Sequence, residues 1–456
     1  MSNKVLIIGS GGREHALGWS IAQDPDVAEV IYAPGNAGTG SEAKSRNVNL
    51  DITAGKTKED KQKNFTAFAD LVEALSIDSI VVGPEQPLVD GVVDFFNQRG
   101  YNRIFGPSSA AAAIEADKFF SYDIMETARV PQAQGVKCYS LQEAVASLEK
   151  ISTETGVVIK ARGLTGGKGV SVFDSEQEAL ANVESFMAAY QGPILVAERL
   201  FGQEFSVFGI SDGERVVPLE MSVQDHKRLL DFDKGPNTGG MGAYGPVPFA
   251  NSDMVRYVAE KMMTPVVQDM KQRGIEYKGF LYAGVMMTKD GPKILEFNCR
   301  FGDPEAQPSV MMLEDGLYKP ISAALEGKLD QVDFRFKSGA ACCVVMAANG
   351  YPDSGLVKQL KGLPIGGLDQ IARWGPDYKV FHAGTSANDG KVLTNGGRVL
   401  GVTAYSESDI AEAQSLAYDA VNTIDLATRE LNNRVVFIYR ADIAAKAMDN
   451  PETLVI

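Results

Sequence analysis

Three polar side chains at alternate positions of one predicted strand have the types that phosphoryl chemistry uses. Glu296, Asn298 and Arg300 lie two residues apart in the stretch LEFNCRFGDPE. Side chains alternate along a strand, so Glu296 and Asn298 share one face and Arg300 continues it. A carboxylate and an amide oxygen suit Mg²⁺ that bridges phosphates, and a guanidinium suits a phosphoryl or acyl-phosphate charge. The plainer alternative is the exposed polar face of an antiparallel strand.

A glycine-rich turn between two predicted strands, VVIKA and VSVF, is a second candidate. It runs from Gly163 to Val170 and contains Lys168. Its backbone N–H groups can close over phosphates while Lys168 adds positive charge. The turn joins strand to strand, so it is not a Walker A loop, which runs into a helix. Lys160 on the preceding strand offers another cation, and a plain hairpin is the competing interpretation.

Two further segments carry polar groups at the ends of predicted strands. The apolar strand in VAERLFGQEFS ends in Glu198, which can offer its backbone to an adenine edge and its carboxylate to a ribose hydroxyl. A sheet edge explains the same pattern. Further on, QDHKR and DKGPNTGGMG combine polar groups with glycines, which favours a ligand-contacting loop over a connector. Within that segment, His226 is either a base or a solvated loop histidine.

The elements that must position these groups fall into three predicted domains. Residues 1–106 alternate short apolar strands with helical stretches, which predicts a parallel sheet with right-handed crossovers. Residues 107–331 contain a small-residue helix and antiparallel-looking strands, which predicts an α+β domain. Residues 332–456 add strands such as AACCVVMAA and RVLGVTAYS and one helix. The predicted fold class is therefore multidomain α/β and α+β.

The opening loop GSGGREHA follows the first strand and first looks like a dinucleotide fingerprint. The fingerprint requires a third small residue, and Glu14 stands there instead. The next strand ends in Pro34-Gly35-Asn36 and has no acid placed for an NAD ribose. Both observations weaken a dinucleotide site. We expect the loop to bind the phosphate of a small substrate instead.

Composition restricts the classes of partner. The chain has 456 residues and a formal net charge of −15, which argues against a general nucleic-acid binder because phosphate backbones need a basic face. No apolar run reaches the roughly 18 residues needed to span a bilayer, and the N-terminal pattern is not that of a signal peptide. The four cysteines lack metal-ligand spacing, so we expect reduced, buried thiols in a cytoplasmic protein.

Taken together, these stretches resemble the ATP-grasp family, and within it the phosphoribosylamine–glycine ligases. The resemblance covers nearly the whole chain in order, and PNTGGMGAY and EFNCRFGDPE are its most specific motifs. The matching motifs are GSGGREHA, PGNAGT, VVGPEQPLV, IFGPS, VIKARGLTGGKGV, QDHKR, DKGPNTGGMGAYGP, LEFNCRFGDPE, FHAGT and TNGGRVLGVTA.

The resemblance implies an N-terminal parallel-sheet (pre-ATP-grasp) domain, an ATP-grasp domain with a small mobile lid subdomain at about 123–193, and a C-terminal mixed domain. It implies a ligase of purine biosynthesis that joins glycine to 5-phosphoribosylamine through glycyl phosphate, with ATP cleaved to ADP and phosphate. The implied cofactors are ATP and Mg²⁺ or Mn²⁺. The implied partners are these small substrates, with no nucleic acid and no membrane, for a monofunctional monomer or weak homodimer in the cytoplasm.

The resemblance also assigns roles by matching position. ATP would contact Lys118, Lys160, Gly166, Gly167, Lys168, Gly169, Val170, Glu198, Arg199, Leu200 and Glu204. Glycine, its acyl phosphate and phosphoribosylamine would contact Gly11, Gly12, Arg13, Asn36, Pro84, Glu85, Asp225, Lys227, Arg228, Asn237, Gly239 and Gly240. Glu296 and Asn298 would bind the metal, and Arg300 and Lys168 would act in catalysis.

Two departures from the family pattern and three rival functions stay open. Arg162 stands where the family commonly has aspartate, and its charge beside the glycine-rich turn is expected to alter nucleotide affinity. The strand from Phe280 to Met287 contains no acid, which leaves one or two metal ions possible. The rivals are a dehydrogenase, another ATP-grasp enzyme such as a biotin-dependent carboxylase subunit or another purine ligase, and a non-catalytic nucleotide sensor.

Overall fold

The computed structural model describes residues 3–53, 55, 57–151, 156–165, 169–332, 334–424, 430–431 and 434–448. These residues form sheets covered by helices, and the predicted α/β and α+β class is confirmed. No described helix has the length and apolar character that crossing a bilayer requires.

The N-terminal part is a five-stranded sheet in the order β3-β2-β1-β4-β5, and every pair is parallel. The central strand β1 is buried because its run VLIIG is apolar on both faces. The strands are β1 (Asn3–Gly9), β2 (Val27–Pro34), β3 (Ser45–Asn47), β4 (Ser79–Val82) and β5 (Ile104–Phe105). The helices are α1 (Gly12–Ala22), α2 (Lys58–Ala74), α3 (Glu85–Val89), α4 (Val92–Gln98) and α5 (Ser109–Ala116).

The sequence predicts one helix over VDGVVDFFNQRG, but α4 begins only at Val92. Gly91 precedes it with φ of +86°, a left-handed conformation that favours glycine and ends the helical run of α3.

A four-stranded antiparallel sheet in the order β6-β9-β7-β8 follows. With two helices it forms a hydrophobic core of its own, which includes Leu148, Ile159 and Val196. The strands are β6 (Gly135–Cys138), β7 (Val157–Ala161), β8 (Val170–Phe173) and β9 (Ile194–Glu198). The helices are α6 (Lys118–Thr127), α7 (Leu141–Ile151) and α8 (Glu176–Tyr190).

A second antiparallel sheet carries the predicted metal pair and has the order β11-β10-β16-β17. Its long strands pair over ten residues, from Gln203 with Met287 to Asp212 with Lys278. The strands are β10 (Gln203–Asp212), β11 (Val216–Pro218), β16 (Lys278–Thr288) and β17 (Gly291–Asn298). The helices nearby are α9 (Ser252–Val258), α10 (Thr264–Gln272), α11 (Ala306–Met312) and α12 (Tyr318–Glu326), with a π-helical stretch at Ala259–Met263 between α9 and α10.

Two short strands of the central segment, β12 (Gln224–Asp225) and β15 (Gly242–Gly245), join the C-terminal sheet. Its order is β12-β15-β18-β22-β19, and β25 pairs with β18. Between β12 and β15, an exposed hairpin is formed by β13 (Arg228–Leu230) and β14 (Lys234–Asn237). The segment QDHKR…GGMG is therefore held by the C-terminal part of the chain.

The remaining elements complete the C-terminal part. The strands are β18 (Ala340–Ala348), β19 (Tyr378–His382), β20 (Thr385–Asn388), β21 (Lys391–Thr394), β22 (Arg398–Ser406), β23 (Glu430–Leu431), β24 (Arg434–Val435) and β25 (Phe437–Ile438). The helices are α13 (Ser354–Lys358), α14 (Leu368–Ile371), α15 (Ile410–Thr423) and α16 (Ala445–Met448). The adjacent Cys342 and Cys343 are fully buried in β18, and all four cysteines are free thiols.

Candidate active site

Lysines from three separate parts of the chain lie around one half-buried carboxylate, that of Glu296. Lys118 begins α6, Lys160 lies on β7 and Lys227 follows β12. Burial alone would raise the pKa of Glu296, but the charges of these lysines lower it. Glu296 therefore stays ionised inside a positive cluster. Burial in turn lowers the pKa of Lys160, and its ammonium donates to the Leu295 carbonyl at 3.0 Å.

Glu296 and Asn298 lie on one face of β17, as the alternation of side chains predicts. The amide Nδ2 of Asn298 is 3.5 Å from Oε1 of Glu296. Gly284 on β16 pairs with Glu296, and a Cβ built there would be 3.4 Å from the Glu296 Cγ. Among the described residues, no cluster of three or more His, Cys, Asp or Glu could hold a metal ion. These two hard oxygen donors would fit Mg²⁺.

Arg300 links β17 to the N-terminal part of the chain. Its Nη2 is 3.1 Å from Glu115 Oε1, and its Nε is 3.4 Å from Glu85 Oε2. Burial would lower the pKa of this guanidinium, but Glu115 and then Glu85 raise it. Glu115 also accepts the backbone N–H of Cys299 at 2.8 Å. The structure thus brings the predicted catalytic Arg300 beside the predicted substrate residue Glu85.

Glu14, the residue that departs from the dinucleotide fingerprint, binds the opening glycine loop from inside the protein. Glu14 accepts the N–H of Gly11 at 2.6 Å and the Nε–H of Arg13 at 2.6 Å. Its side chain fills the space beside Gly9 and Gly83, where a built Cβ would lie 2.5 and 2.3 Å from it. The Glu14 carboxylate therefore occupies the N–H of Gly11, which a bound phosphate could otherwise use. Its bulk also keeps α1 further from β1 than a third glycine would.

The same loop faces acidic and amide groups that follow β17. A Cβ at Gly12 would meet Gln307 Nε2 at 2.6 Å and Asp303 Oδ1 at 3.6 Å. Arg13 donates to the Phe301 carbonyl at 3.3 Å and lies 3.9 Å from Glu85. Arg13 of the predicted loop therefore lies with Arg300 beside the start of α3, where Pro84 and Glu85 lie.

Asn36 has a positioning role in the structure. Its Nδ2 donates to Ser10 O at 2.9 Å and to His382 O at 2.8 Å. Its Oδ1 accepts the N–H groups of Gly38 and Thr39. These four bonds occupy the amide, and they tie the opening loop to the C-terminal sheet. Direct contact of Asn36 with a substrate stays a prediction.

A second buried carboxyl, Asp225, lies under the glycine loop 239–240. Its Oδ1 has no hydrogen-bond partner among the described residues. Burial, and next the neighbouring Glu305, raise the pKa of Asp225 well above its usual range. Gly240 has φ of +106°, and a Cβ there would lie 2.6 Å from Asp225 Oδ1 and 2.4 Å from Pro304 Cδ. Only glycine fits between these groups.

Arg398 of β22 reaches the same place from the C-terminal sheet. It donates to the Gly239 carbonyl, to the Asp303 carbonyl at 2.6 Å and to Asp303 Oδ2 at 3.0 Å. The Gly239 N–H donates to Tyr351 Oη at 2.9 Å. Burial would raise the pKa of Asp303, but Arg398 and then Arg13 lower it. Asp303 therefore lies between Arg13 of the N-terminal part and Arg398 of the C-terminal sheet.

Sequence reasoning missed several of these groups as site residues. Asp303 and Glu305 stand in the motif GDPE, and Arg398 stands in TNGGRVLGVTA, so the resemblance contained a signal for them. Glu115 is one acid in the helix SAAAAIEA, and Tyr351 lies outside every motif. Neither of these two has a sequence signal that reveals its distant partner.

The expectation of a solvated His226 is wrong. Its side chain is 1% exposed, and neither ring nitrogen has a partner among the described residues. Burial and then the charges of Arg440 and Lys446 lower the pKa of His226 to about 3. The ring packs near Tyr244, with centroids 5.9 Å apart. His226 is therefore a neutral, buried side chain.

The predicted adenine and ribose residues lie along β9 and β10. Glu198 accepts the N–H of Gln134 at 3.1 Å and lies 3.4 Å from Lys293 Nζ. Arg199 pairs with Asp174, and Glu204 pairs with Lys227. Leu200 follows β9. Glu204 therefore contacts a predicted substrate residue, which connects the two predicted sites.

Part of the glycine-rich turn lies outside the described residues, namely Gly166, Gly167 and Lys168. Gly169 and Val170 enter β8, and the Gly169 N–H donates to Thr165 Oγ1 at 2.8 Å. Beside this turn, Asp117 and Arg162 help line a cavity of about 450 Å³. The Nε and Nη2 of Arg162 both bind Asp117, at 2.7–3.0 Å. Its charge is therefore directed at the N-cap of α6.

Two further predicted substrate residues, Arg228 and Asn237, lie on the exposed hairpin that follows Lys227. They pair across the exposed hairpin β13–β14, where Arg228 donates to the Gly235 carbonyl at 2.7 Å. Their substrate contacts stay a prediction.

Family models match three consecutive parts of the chain. The N domain of phosphoribosylglycinamide synthetase matches residues 3–115, its ATP-grasp (A) domain matches 116–306, and its C domain matches 341–446. A phosphoribosylamine–glycine ligase of Pseudomonas aeruginosa is 45% identical over 420 residues, which are 91% of this chain and 93% of that protein.

Two solved structures are similar along nearly the whole chain. A phosphoribosylamine–glycine ligase from Thermotoga maritima has a TM-score of 0.77 at 32% identity, covering 97% of this chain and 100% of the other. The biotin carboxylase domain of a Hydrogenobacter thermophilus 2-oxoglutarate carboxylase, solved with MgADP and bicarbonate, has a TM-score of 0.66 at 15% identity and covers 99% of each chain. The second likeness concerns the fold alone. The predicted resemblance is confirmed, and the chain belongs to the phosphoribosylglycinamide synthetase family.

Proposed function

We propose that the protein joins glycine to 5-phosphoribosylamine and cleaves ATP to ADP and phosphate, a step of purine biosynthesis. One observation carries this proposal. Lys118, Lys160 and Lys227 converge on the carboxylate of Glu296, which lies beside Asn298. Phosphoryl transfer needs positioning and charge neutralisation more than a protein nucleophile. The family membership of the chain supports the choice of substrates.

In the first proposed step, a carboxylate oxygen of glycine attacks the γ-phosphorus of ATP and the bond to ADP breaks. Lys118 and Lys160 hold the phosphates, and Glu198 and Leu200 accommodate adenine. Lys227 and Arg300 stabilise the negative charge that spreads over the transferring group. Bound Mg²⁺ supplies further charge neutralisation, and Glu296 and Asn298 are the residues that hold it. The same oxygen donors also accept Mn²⁺.

In the second proposed step, the amine of phosphoribosylamine attacks the carbonyl carbon of glycyl phosphate. The C–O bond to phosphate breaks, the nitrogen loses a proton, and an amide remains. Asp225 has an unpartnered buried oxygen, which suits it to receive the ammonium group of glycine. The glycine loop 9–12 with Arg13 and Glu85 borders the cleft from the N-terminal side and receives the ribosylamine.

Compartment and assembly belong to the same proposal. Four buried free thiols fit a reducing compartment, which supports a cytoplasmic enzyme. The catalytic cluster draws on residues of a single chain, so a monomer or a weak homodimer is compatible with the activity.

ADP release tests the proposal when glycine and freshly prepared phosphoribosylamine are supplied separately and together. We expect turnover only with both substrates and a divalent cation. ATP turnover that needs bicarbonate instead would point to the carboxylase rival, and ATP binding with no turnover under any condition would point to a nucleotide sensor. Binding of NAD in calorimetry would support the dehydrogenase.

A further inference from the structure

A buried arginine near the C-terminus holds the exposed hairpin β13–β14. Arg440 is 0% exposed, although it belongs to a segment without regular structure. Its Nη1 donates to the Arg228 carbonyl at 3.2 Å and to Asp233 Oδ1 at 2.8 Å. Its Nε and Nη2 form a bidentate pair with Asp442 at 2.7 and 2.6 Å. One guanidinium thus reaches both the base and the tip of the hairpin.

Neighbours of Arg440 add further bonds to the hairpin tip. The N–H of Phe232 donates to Asp442 Oδ2 at 2.8 Å, and the N–H of Ala441 donates to Asp231 Oδ1 at 2.8 Å. Lys446 of α16 pairs with Asp233. Four contacts between residues far apart in sequence therefore define one joint, which we call the tip clamp (Asp231–Asp233 with Arg440–Asp442 and Lys446).

The hairpin depends on this clamp because little else supports it. Residues Lys234–Asn237 are all exposed, and Arg228 and Leu230 of the other strand are exposed too. A two-stranded hairpin without a packed face is marginal in water. Phe232 and Asp233 also adopt positive φ values of 57° and 53°, a conformation that surrounding contacts must enforce in residues other than glycine.

The base of the hairpin leads directly into the lysine cluster. Lys227 precedes Arg228, and its carbonyl accepts both the N–H of Thr238 at 2.7 Å and the hydroxyl of Thr238 at 2.9 Å. The ammonium of Lys227 pairs with Glu204. A displaced hairpin would therefore displace Lys227 on one side and the glycine loop 239–240 on the other.

We propose that Arg440 is a positioning residue that fixes the substrate segment 225–240 through the tip clamp. Its effect falls more strongly on glycine use than on ATP binding, because Lys118, Lys160 and Glu198 lie on α6, β7 and β9, outside the clamped segment, and the segment reaches the predicted ATP residue Glu204 through Lys227. The inference rests on the proposed ligase function for its kinetic consequence, while the anchoring itself is a physical property of the chain.

The test compares Arg440→Lys, Arg440→Met, Asp233→Asn and the control Arg373→Met. Arg373 is an arginine on the surface beside α14, with 79% side-chain exposure. For Arg440→Met we expect kcat/KM for glycine to fall by about tenfold or more while calorimetric ATP affinity stays within about twofold. Arg440→Lys should recover only part of the loss because an ammonium cannot reproduce the forked contacts. Asp233→Asn should act in the same direction and be non-additive with Arg440→Lys.

Hydrogen exchange of residues 228–237 provides a second readout and should accelerate in the Arg440 and Asp233 variants but not in Arg373→Met. Wild-type glycine kinetics in both Arg440→Lys and Asp233→Asn would overturn the inference, as would equal losses in ATP affinity and glycine use. If Arg440→Met does not fold, the two milder variants decide. If the wild type shows no ligase turnover, the proposed function fails, and unchanged exchange in the hairpin would overturn the anchoring separately.

Discussion

Glu296 is the side chain on which the proposed phosphoryl chemistry most depends. It lies half-buried among Lys227, Lys118 and Lys160, and these charges lower its pKa against the effect of burial. Asn298 adds a neutral oxygen beside it. Removing Glu296 would leave three ammonium groups without their shared counter-charge and the proposed ion without its anionic ligand.

We therefore expect Glu296→Ala to lower kcat by about a hundredfold or more, because stabilisation of developing charge is lost. Steady-state ADP release measures the change, and circular dichroism checks that the fold is intact. The matched control is Glu220→Ala, which removes an exposed, ion-paired carboxylate. An unchanged kcat in Glu296→Ala would remove this residue from the proposed metal site.

The site residues were predictable wherever the signal was local in sequence. The alternation of side chains along one strand correctly places Glu296 beside Asn298. The same reasoning could not reveal that Arg300 pairs with Glu115, or that Arg398 meets Asp303, because each pair is joined only by the tertiary fold. The environment of His226 was missed for the same reason, since its burial depends on distant elements.

The glycine loop 239–240 fits into a narrow space between residues from different elements. Gly240 fits between Asp225 and Pro304, and Gly239 bonds to Tyr351 and Arg398. The loop therefore places the central segment against residues from β22 and from the C-terminal part of the chain. A side chain in this loop would push apart groups that the proposed glycine site needs together.

We expect Gly240→Ala to reduce kcat/KM for glycine by about tenfold or more, because the new Cβ would clash with Asp225 and Pro304. Substrate-dependence kinetics measure the effect. Gly274→Ala is the matched control: Gly274 also has positive φ, +78°, but nothing lies within 4 Å of a Cβ there. Equal kinetics in the two variants would contradict the prediction that the clash at Gly240 lowers activity.

Element patterns predicted the N-terminal sheet well and the C-terminal sheet only in part. In the N-terminal region, apolar runs such as VLIIG alternate with helical stretches, which predicts parallel strands, and every pair in that sheet is parallel. The strand β15 instead pairs with β18, which lies about a hundred residues further along the chain, and β12 joins the same sheet through β15. No periodicity in QDHKR or GAYG signals that pairing. The domain boundaries at 106–107 and 331–332 stay predictions.

At the scale of the whole molecule, the N-terminal and C-terminal parts meet through buried histidines. His15 accepts the N–H of His382 at its Nδ1, 2.8 Å away, so its Nε2 carries the proton given to Glu42 at 2.9 Å. Lys379 also pairs with Glu42. Burial would raise the pKa of Glu42, but His15 and then Lys379 lower it to about 2. This interface holds Asn36 and the opening loop in place beside the cleft.

Burial, and next His15, lower the pKa of His382 to about 3, so this histidine stays neutral in the fold. The unfolded chain binds a proton there below about pH 6.5, and this favours unfolding as the pH falls from about 6.5 towards about 3. We expect His382→Gln to show a smaller drop in thermal midpoint between about pH 7.5 and pH 5 than the wild type does. The other histidines titrate in both proteins, so an equal or larger drop in the variant would contradict the buried neutral state.

We propose that glycine and phosphoribosylamine are joined at the expense of ATP around Glu296. The most direct measurement is ADP release by the full chain with Mg²⁺, with each substrate alone and with both. We predict release that requires both substrates, with one ADP formed for each amide. ADP release that ignores phosphoribosylamine, or that requires bicarbonate, would contradict it.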